Sequence, residues 1–351
     1  MDLTRGGITR PMLLFAGPMI AGNLLQQCYN IADTLIVGRA LGASALASVG
    51  FSFTLMTFLT SVLLGLCMGS GALWSMLYGA GREEELKRCL FASFVFIGAV
   101  AVLLNVGVLA LLEPVMTLLR IPAGAWDETR AYLRVVLLGV CFTFLYNYFA
   151  CLLRSVGNSV APMAFLAVST VLNIGLDLWF VLGLGWGVAG AAGATVLAQG
   201  VSAALGLVYL FRVKRVFRGV SFRLNRRTVL RLLATSLSPF GLTMLNTVTL
   251  VVINRGALAY GGSLAVACYA VMSYAICMVH FIIQGIGDGA QPLLSRYYGA
   301  GEQEALAQVR TLTFRSAPAA ALLCGIALFL GRSAIPHLFG ASNAATRLFQ
   351  V

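Results

Sequence analysis

Charged residues are scarce in this sequence of 351 residues: Asp, Glu, Lys and Arg make up 10% of it, against about 25% in soluble globular domains. Apolar side chains make up 60%, more than the core of a water-soluble fold can enclose. Lipid can cover this surplus, because the outer faces of membrane helices contact hydrocarbon rather than water. The composition therefore excludes an ordinary soluble domain and predicts an integral membrane protein.

Several kinds of catalytic motif are also missing. Histidine occurs only twice, and the eight cysteines form no Cys-x-x-Cys pair. Most of the cysteines lie in apolar runs, where cysteine behaves as a small apolar side chain, so neither a transition-metal site nor a disulfide framework is expected. No Walker phosphate-binding sequence is present, which argues against direct use of ATP. We expect no enzymatic activity, no cofactor and no obligate protein partner.

Acidic residues are half as frequent as basic ones, 12 against 24, and the net charge is +12. In a soluble protein this excess would indicate nucleic acid, but here the basic residues lie mostly between apolar runs. The positive-inside rule explains them better. With the N-terminus inside, the inner segments carry 17 Lys and Arg and the outer segments six. We therefore predict a multi-pass protein of the plasma or inner membrane, with a cytoplasmic N-terminus and no nucleic-acid partner.

Nine apolar runs are long enough to cross a bilayer. They are continuous rather than alternating, which predicts helices and disfavours a barrel of strands. The runs lie at about 12–37, 46–77, 89–112, 131–153, 161–184, 187–211, 230–253, 263–294 and 312–332. The predicted fold class is thus all-α, a polytopic helical transporter of about nine spans.

The chain also repeats itself at an offset of 220 to 221 residues. Tyr78–Gly81 recurs as Tyr298–Gly301, and further glycines keep the same register. Six spans fit in one period, so both copies enter the membrane in the same orientation, the parallel two-lobe plan of many transporters. We predict a first six-helix lobe at 1–211, a basic cytoplasmic linker at 212–229 and an incomplete second lobe of about three helices at 230–351.

Only two acidic residues, Asp33 and Asp177, lie well inside apolar runs. An ionised carboxylate at membrane depth costs several kcal/mol unless it is paired or hydrated. Measured from the outer ends of their helices, these residues fall in one layer with Asn173 and Thr195, about 6 to 12 Å deep. Such oxygen ligands suit Na⁺, and two close carboxylates can alternatively share one proton. The alternative to an ion or proton site is that Asp33 and Asp177 only form hydrogen bonds within the helix bundle.

Two secondary candidates lie in the eighth predicted run. Asp288 is near its inner end, where a polar helix-end role is the alternative to ion coupling. His280 lies deeper, where a buried, hydrogen-bonded histidine is the alternative to a proton relay. The sequence identifies no substrate-binding residues.

The chain resembles the multidrug and toxic compound extrusion (MATE) family. The segments that carry the resemblance are Asn23–Gly42, Leu153–Pro162, Leu172–Gln199 and Gly285–Gly301. It implies a two-lobed, twelve-helix antiporter that works by alternating access, exporting small cationic, amphipathic compounds in exchange for H⁺ or Na⁺. Three of the twelve helices are absent from the second copy.

The resemblance also implies a cation site. In one branch of the family an Asp, an Asn and an Asp four residues apart, and a Thr form that site in the first lobe. The positions that match are Asp33, Asn173, Asp177 and Thr195. An acid that another branch uses in the seventh helix has no counterpart, because Pro239–Asn254 contains no Asp or Glu.

Two other functions stay open at this point. A flippase for lipids or lipid-linked saccharides would share the architecture, but its cavity for anionic head groups should carry several intramembrane Arg or Lys residues, and these spans are almost free of them. The missing helices also allow a fragment that inserts into the bilayer and transports nothing.

Overall fold

The computed structural model describes residues 8–119, 121–213 and 226–330, and within those ranges the chain forms helices and no β-strand. The α-helices are α1 (Thr9–Leu41), α2 (Ala43–Gly79), α3 (Glu83–Ala110), α4 (Leu112–Leu118), α5 (Trp126–Leu138), α6 (Val140–Ser155), α7 (Val160–Asp177), α8 (Gly187–Val213), α9 (Arg226–Ala300) and α10 (Gln303–Leu330). A short 3₁₀ turn precedes α5, and a π-helical segment, Leu178–Gly183, follows α7. The predicted all-α fold is confirmed. We call α1–α8 the first lobe and α9–α10 the second.

Six helices in the described ranges are long and apolar enough to cross a membrane, or seven if α5 and α6 count as one span. These two helices cover the predicted fourth span, which is therefore not one straight helix but bends by 44°. Gly139 lies at the bend, where a Cβ atom would be 2.6 Å from a methyl group of Val196. A residue without a side chain lets the bent backbone approach α8. The count of nine spans stays a prediction.

Helix α9 covers the predicted seventh and eighth spans in 75 residues of helical backbone, without the break predicted between them. A straight helix of that length would extend roughly 110 Å, far beyond a hydrocarbon core of about 30 Å. Ser236 and Arg296, near its two ends, both pack against α2, at Gly69 and Gly79. Helix α9 therefore reverses its direction between Ser236 and Arg296 and contacts the first lobe on both sides of this reversal.

The lobes contact each other through pairs of glycines that repeat the sequence offset of 220. A Cβ atom on Gly65 would lie 2.8 Å from the Cα of Phe240, and one on Gly285 would lie 2.8 Å from the Cα of Ile20. Adding 220 to the number of Gly65 gives Gly285, and subtracting 220 from the number of Phe240 gives Ile20. The offset therefore converts the first contact into the second. Such reciprocal contacts are the signature of a twofold axis.

The same reciprocity extends along the interface. Its further glycine contacts are Gly69 with Ser236, Gly289 with Ala16, Gly79 with Arg296 and Gly299 with Met76. The turns after α2 and α9 also match: Gly81 and Gly301 have positive φ angles of 68° and 76°. The recurrence of Tyr78–Gly81 at Tyr298–Gly301 seen in the sequence is thus a repeated backbone conformation and a repeated contact. The predicted domain bounds themselves stay predictions.

The first lobe has a well-packed apolar core between α2, α3, α5 and α6. Trp74 and Tyr148 are fully buried and meet edge to face at 5.0 Å between ring centroids. The Tyr148 hydroxyl donates a 2.6 Å hydrogen bond to the carbonyl oxygen of Leu90, so the core contains a satisfied polar group. Large apolar side chains such as Leu103 and Val171 are exposed on the outside, as expected of surfaces that face lipid.

Candidate functional site

Three helices that pack on one another, α1, α7 and α8, carry the four residues of the predicted cation site. Asp33 lies two turns before the end of α1, Asn173 and Asp177 occupy the last turns of α7, and Thr195 lies two turns into α8. All four are buried: Asn173 and Asp177 are 0% exposed, Thr195 6% and Asp33 8%. The structure therefore places them inside the first lobe, not on a lipid-facing surface.

The polar atoms of this group are largely without partners. Within this group, the buried atoms that make no hydrogen bond to a described residue are Oδ1 of Asp33, both carboxylate oxygens of Asp177, and Oδ1 and Nδ2 of Asn173. The two carboxylates interact with each other electrostatically and lie close enough for a hydrogen bond between them when one is protonated. Buried acceptors normally find partners, because an unmet acceptor costs about 1–3 kcal/mol. This oxygen-rich cluster fits a small hard cation or a shared proton.

Two tyrosines belong to the same cluster, and the sequence interpretation missed both. The Tyr29 hydroxyl donates a 3.1 Å hydrogen bond to Oγ1 of Thr195 and interacts with both acids. Tyr132, on α5, is buried and also interacts with Asp33 and Asp177. Tyr29 could have been found, because it precedes Asp33 by one helical turn and shares its face. No spacing in the sequence connects Tyr132 to the acids.

The backbone is irregular immediately after Asp177. Residues 178–183 are π-helical, and positive φ angles follow at Gly185 in the connection (67°) and at Gly187, the first residue of α8 (58°). π-Helical turns are rare and are often found at functional sites. Asp177 thus lies at the junction between regular and irregular helix, where a local change of register would move its carboxylate.

Neither secondary candidate joins this cluster. Asp288 lies on α9 in a cavity between the lobes, beside Asn23 and Gln284. His280, expected to be buried, is exposed and has its ring 6.1 Å from that of Phe281. The expectation of burial was wrong for His280, since this part of α9 does not pack its histidine face into the interior.

Comparison with known proteins identifies relatives. The MatE family model matches residues 18–179. The probable multidrug resistance proteins YpnP and YoeA of Bacillus subtilis are similar to the chain. YpnP is 31% identical over 61% of this chain and 48% of its own length, and YoeA is 30% identical over 87% of this chain and 68% of its own. The chain therefore spans about half to two thirds of the length of these relatives.

A solved structure shares the fold. The Vibrio cholerae MATE transporter VcmN, in its bent form, superposes with a TM-score of 0.89 at 22% identity, covering 98% of this chain and 78% of VcmN. The likeness shows that the helical fold of this chain is that of VcmN over nearly its whole length. Since the family model, the relatives and the fold agree, the chain belongs to the MATE family of multi-pass membrane transporters.

Proposed function

We propose that the protein is a secondary antiporter, which exports small cationic, amphipathic compounds in exchange for H⁺ or Na⁺. Support comes from the family, from relatives that are named multidrug resistance proteins, and above all from the buried cluster of Asp33, Asn173, Asp177 and Thr195. Two carboxylates with unpartnered oxygens in the membrane-spanning part of a lobe are costly unless a cation or proton binds there. Binding of the coupling ion would offset this cost, which explains why the two acids are buried.

The coupling follows from the cost of burying charge. With both carboxylates ionised, the cluster favours an arrangement of α1, α7 and α8 that lets water reach it. Binding of H⁺ or Na⁺ neutralises part of the charge, so the helices can close around the site. If this closure narrows the space for the substrate, ion and substrate compete through one conformational equilibrium. That competition is the linkage an antiporter requires.

The two ends of the molecule have different roles in this proposal. The lobes touch where α1 begins, through Ala16 and Gly289 and through Met76 and Gly299, so the structure is closed at that end. The ion cluster lies toward the opposite end, since Asp33 is about 25 Å further along α1 than Ala16. We infer that the closed end is cytoplasmic, because the basic residues lie mostly on that side.

Sidedness can be measured on a variant that lacks the native cysteines. A cysteine placed at Arg226, the exposed first residue of α9, should react with an impermeant maleimide only after cells are opened. The matched position is Ala123, exposed at the other end of the first lobe, which should react on intact cells. Reversed labelling of the two positions would contradict the proposed orientation.

Transport itself is tested with the whole protein in vesicles loaded with ethidium. Imposing an inward Na⁺ gradient and an inward proton gradient separately should identify the coupling ion. Efflux is expected with one gradient and not with a membrane potential alone, because the proposed site binds an ion chemically. If neither gradient drives efflux above that of protein-free vesicles, the antiporter proposal is wrong.

A further inference from the structure

A second polar site lies between the two lobes, at the closed end. The cavity there is lined by Met19, Met68, Gly71, Ser75, Cys151, Arg154, Ser155, Asp288, Gln291 and Pro292. Its walls come from α1, α2 and α6 of the first lobe and from α9 of the second. The acids of the ion cluster are not part of it. Met19 and Asp33 are 14 residues apart on α1, roughly 20 Å along the helix axis.

The cavity brings together one cation and one anion from different lobes. Arg154 ends α6, and Asp288 lies on α9, where its strongest interaction with another charged group is the attraction to Arg154. The amides of Asn23 and Gln284 lie beside the same carboxylate. Arg154 is only partly satisfied, since its buried Nε has no hydrogen-bond partner in the described ranges. The two groups line the same cavity but are too far apart for a salt bridge, so the guanidinium offsets the charge of Asp288 across the cavity and is not fixed by a full set of hydrogen bonds.

Asp288 has no acidic counterpart at the equivalent position of the first repeat. The residue related to Asp288 by the offset of 220 is Met68, which lines the same cavity. The related positions Gly71 and Gln291 also both line it, so the twofold axis passes through or near the cavity. One lobe thus presents a thioether and a glycine where the other presents a carboxylate and an amide. A feature needed only for packing the symmetric interface would have no reason to differ in this way.

The burial of these charges depends on contact between the lobes. When the lobes are closed, each charge is only partly exposed to water, and the other charge offsets part of the cost of that desolvation. If the lobes separate at this end, Asp288 on α9 becomes accessible from that side and Arg154 moves away with α6. The exposed carboxylate, flanked by amides and a flexible methionine wall, then has the chemistry of a site for an amphipathic cation.

We propose that Asp288 is the carboxylate that receives the cationic substrate when the closed end opens, and that Arg154 is an internal cation that takes the substrate's place when the lobes close again. This inference rests on the proposed export of cations. It assigns the substrate anchor to the second lobe and separates it from the ion cluster of the first. Closure then displaces the substrate from Asp288 by substituting one positive charge for another.

The proposal predicts opposite effects for the two members of the pair. Equilibrium binding of ethidium and of tetraphenylphosphonium is measured on the purified full chain in nanodiscs, with no ion gradient. Asp288→Asn should weaken binding of both cations about tenfold or more, because the anchoring charge is lost. Arg154→Gln should tighten binding severalfold, because the internal competitor is lost. The double variant Arg154→Gln/Asp288→Asn should bind as weakly as Asp288→Asn alone.

Matched substitutions on the surface control for general effects of charge. Asp127→Asn and Arg310→Gln each remove one exposed charge and should leave both affinities unchanged. Nile red, an uncharged dye, should bind all variants alike, which shows that they are folded. If Asp288→Asn and Arg154→Gln tighten binding equally, the pair only locks the lobes together. If neither changes binding, the cavity has no part in recognition, and either result overturns the inference.

The experiment also separates this inference from the proposed function. Binding without a gradient does not require ion coupling, so it can succeed even if Asp33 and Asp177 are not the coupling site. If the unsubstituted protein binds neither cation, the export of cations itself is contradicted. If it binds them and Asp288→Asn binds equally well, only the assignment of the anchor fails.

Discussion

Asp177→Asn is expected to reduce gradient-driven efflux of ethidium to the level of protein-free vesicles. Asp177 is fully buried, no donor group in the described ranges hydrogen-bonds to its carboxylate oxygens, and it interacts with a second acid, Asp33. An amide of the same shape cannot take up a proton and adds no negative charge to attract Na⁺, so the cluster would bind the coupling ion much more weakly. Asp33→Asn should have the same effect for the same reason.

Three further variants make that result interpretable. Asp127→Asn removes an exposed acid of the same type and should transport normally. Thr195→Ala should cause only a partial loss, since it removes a neutral ligand and a hydrogen bond from Tyr29 that water can replace. All proteins should reach the membrane in equal amounts, as judged by immunoblot. Full efflux by Asp177→Asn would place the coupling site elsewhere in the chain.

Gly79→Ala and Gly299→Ala are expected to destabilise the closed arrangement of the lobes. A Cβ atom at Gly79 would overlap the carbonyl oxygen of Arg296, and one at Gly299 would overlap that of Met76. Neither carbonyl can rotate away like a side chain, so the backbones must separate. Overpacking of this kind costs about 1–3 kcal/mol and should lower the thermal unfolding temperature by several degrees. Because the contacts are related by the twofold axis, the two variants should lose similar amounts.

A glycine in open surroundings supplies the control. Gly107 lies in α3 with no atom within 4 Å of the position of an added Cβ. Gly107→Ala should therefore be neutral or should raise the unfolding temperature slightly, because alanine favours helix more than glycine does. The unfolding of all three variants can be followed by differential scanning fluorimetry in detergent. Equal unfolding temperatures for Gly79→Ala and Gly107→Ala would contradict the close approach of the lobes.

Several features of the fold could be predicted because they leave a periodic signal in the sequence. The long apolar runs predicted helices, and the recurrence of Tyr78–Gly81 at Tyr298–Gly301 predicted a repeat that the glycine contacts display in space. The depths of Asp33 and Asp177 in their runs predicted that they share a layer, and the structure buries both in helices that pack together. Their role as a coupling site stays a prediction.

Other features depend on contacts that no local pattern encodes. The bend at Gly139 brings the backbone close to Val196 of α8, and Tyr132 is placed by the packing of α5 against α8. The attraction between Arg154 and Asp288 joins residues 134 positions apart in different lobes. None of these residues belongs to a local sequence pattern that would indicate its partner. The partner is identified only by the tertiary structure.

The reciprocal glycine contacts also bear on how such a chain arises. Two identical half-length chains facing each other across a twofold axis would make each contact twice, as Gly79 and Gly299 now do once each. A half-length ancestor with this surface would therefore have been a homodimer, in which any substitution appears on both sides of the axis. Fusion of the two copies removes that constraint. Equivalent positions can then differ, as Met68 in the first copy and Asp288 in the second do. A fold with twofold symmetry can in this way acquire a site that is present in only one of its two lobes.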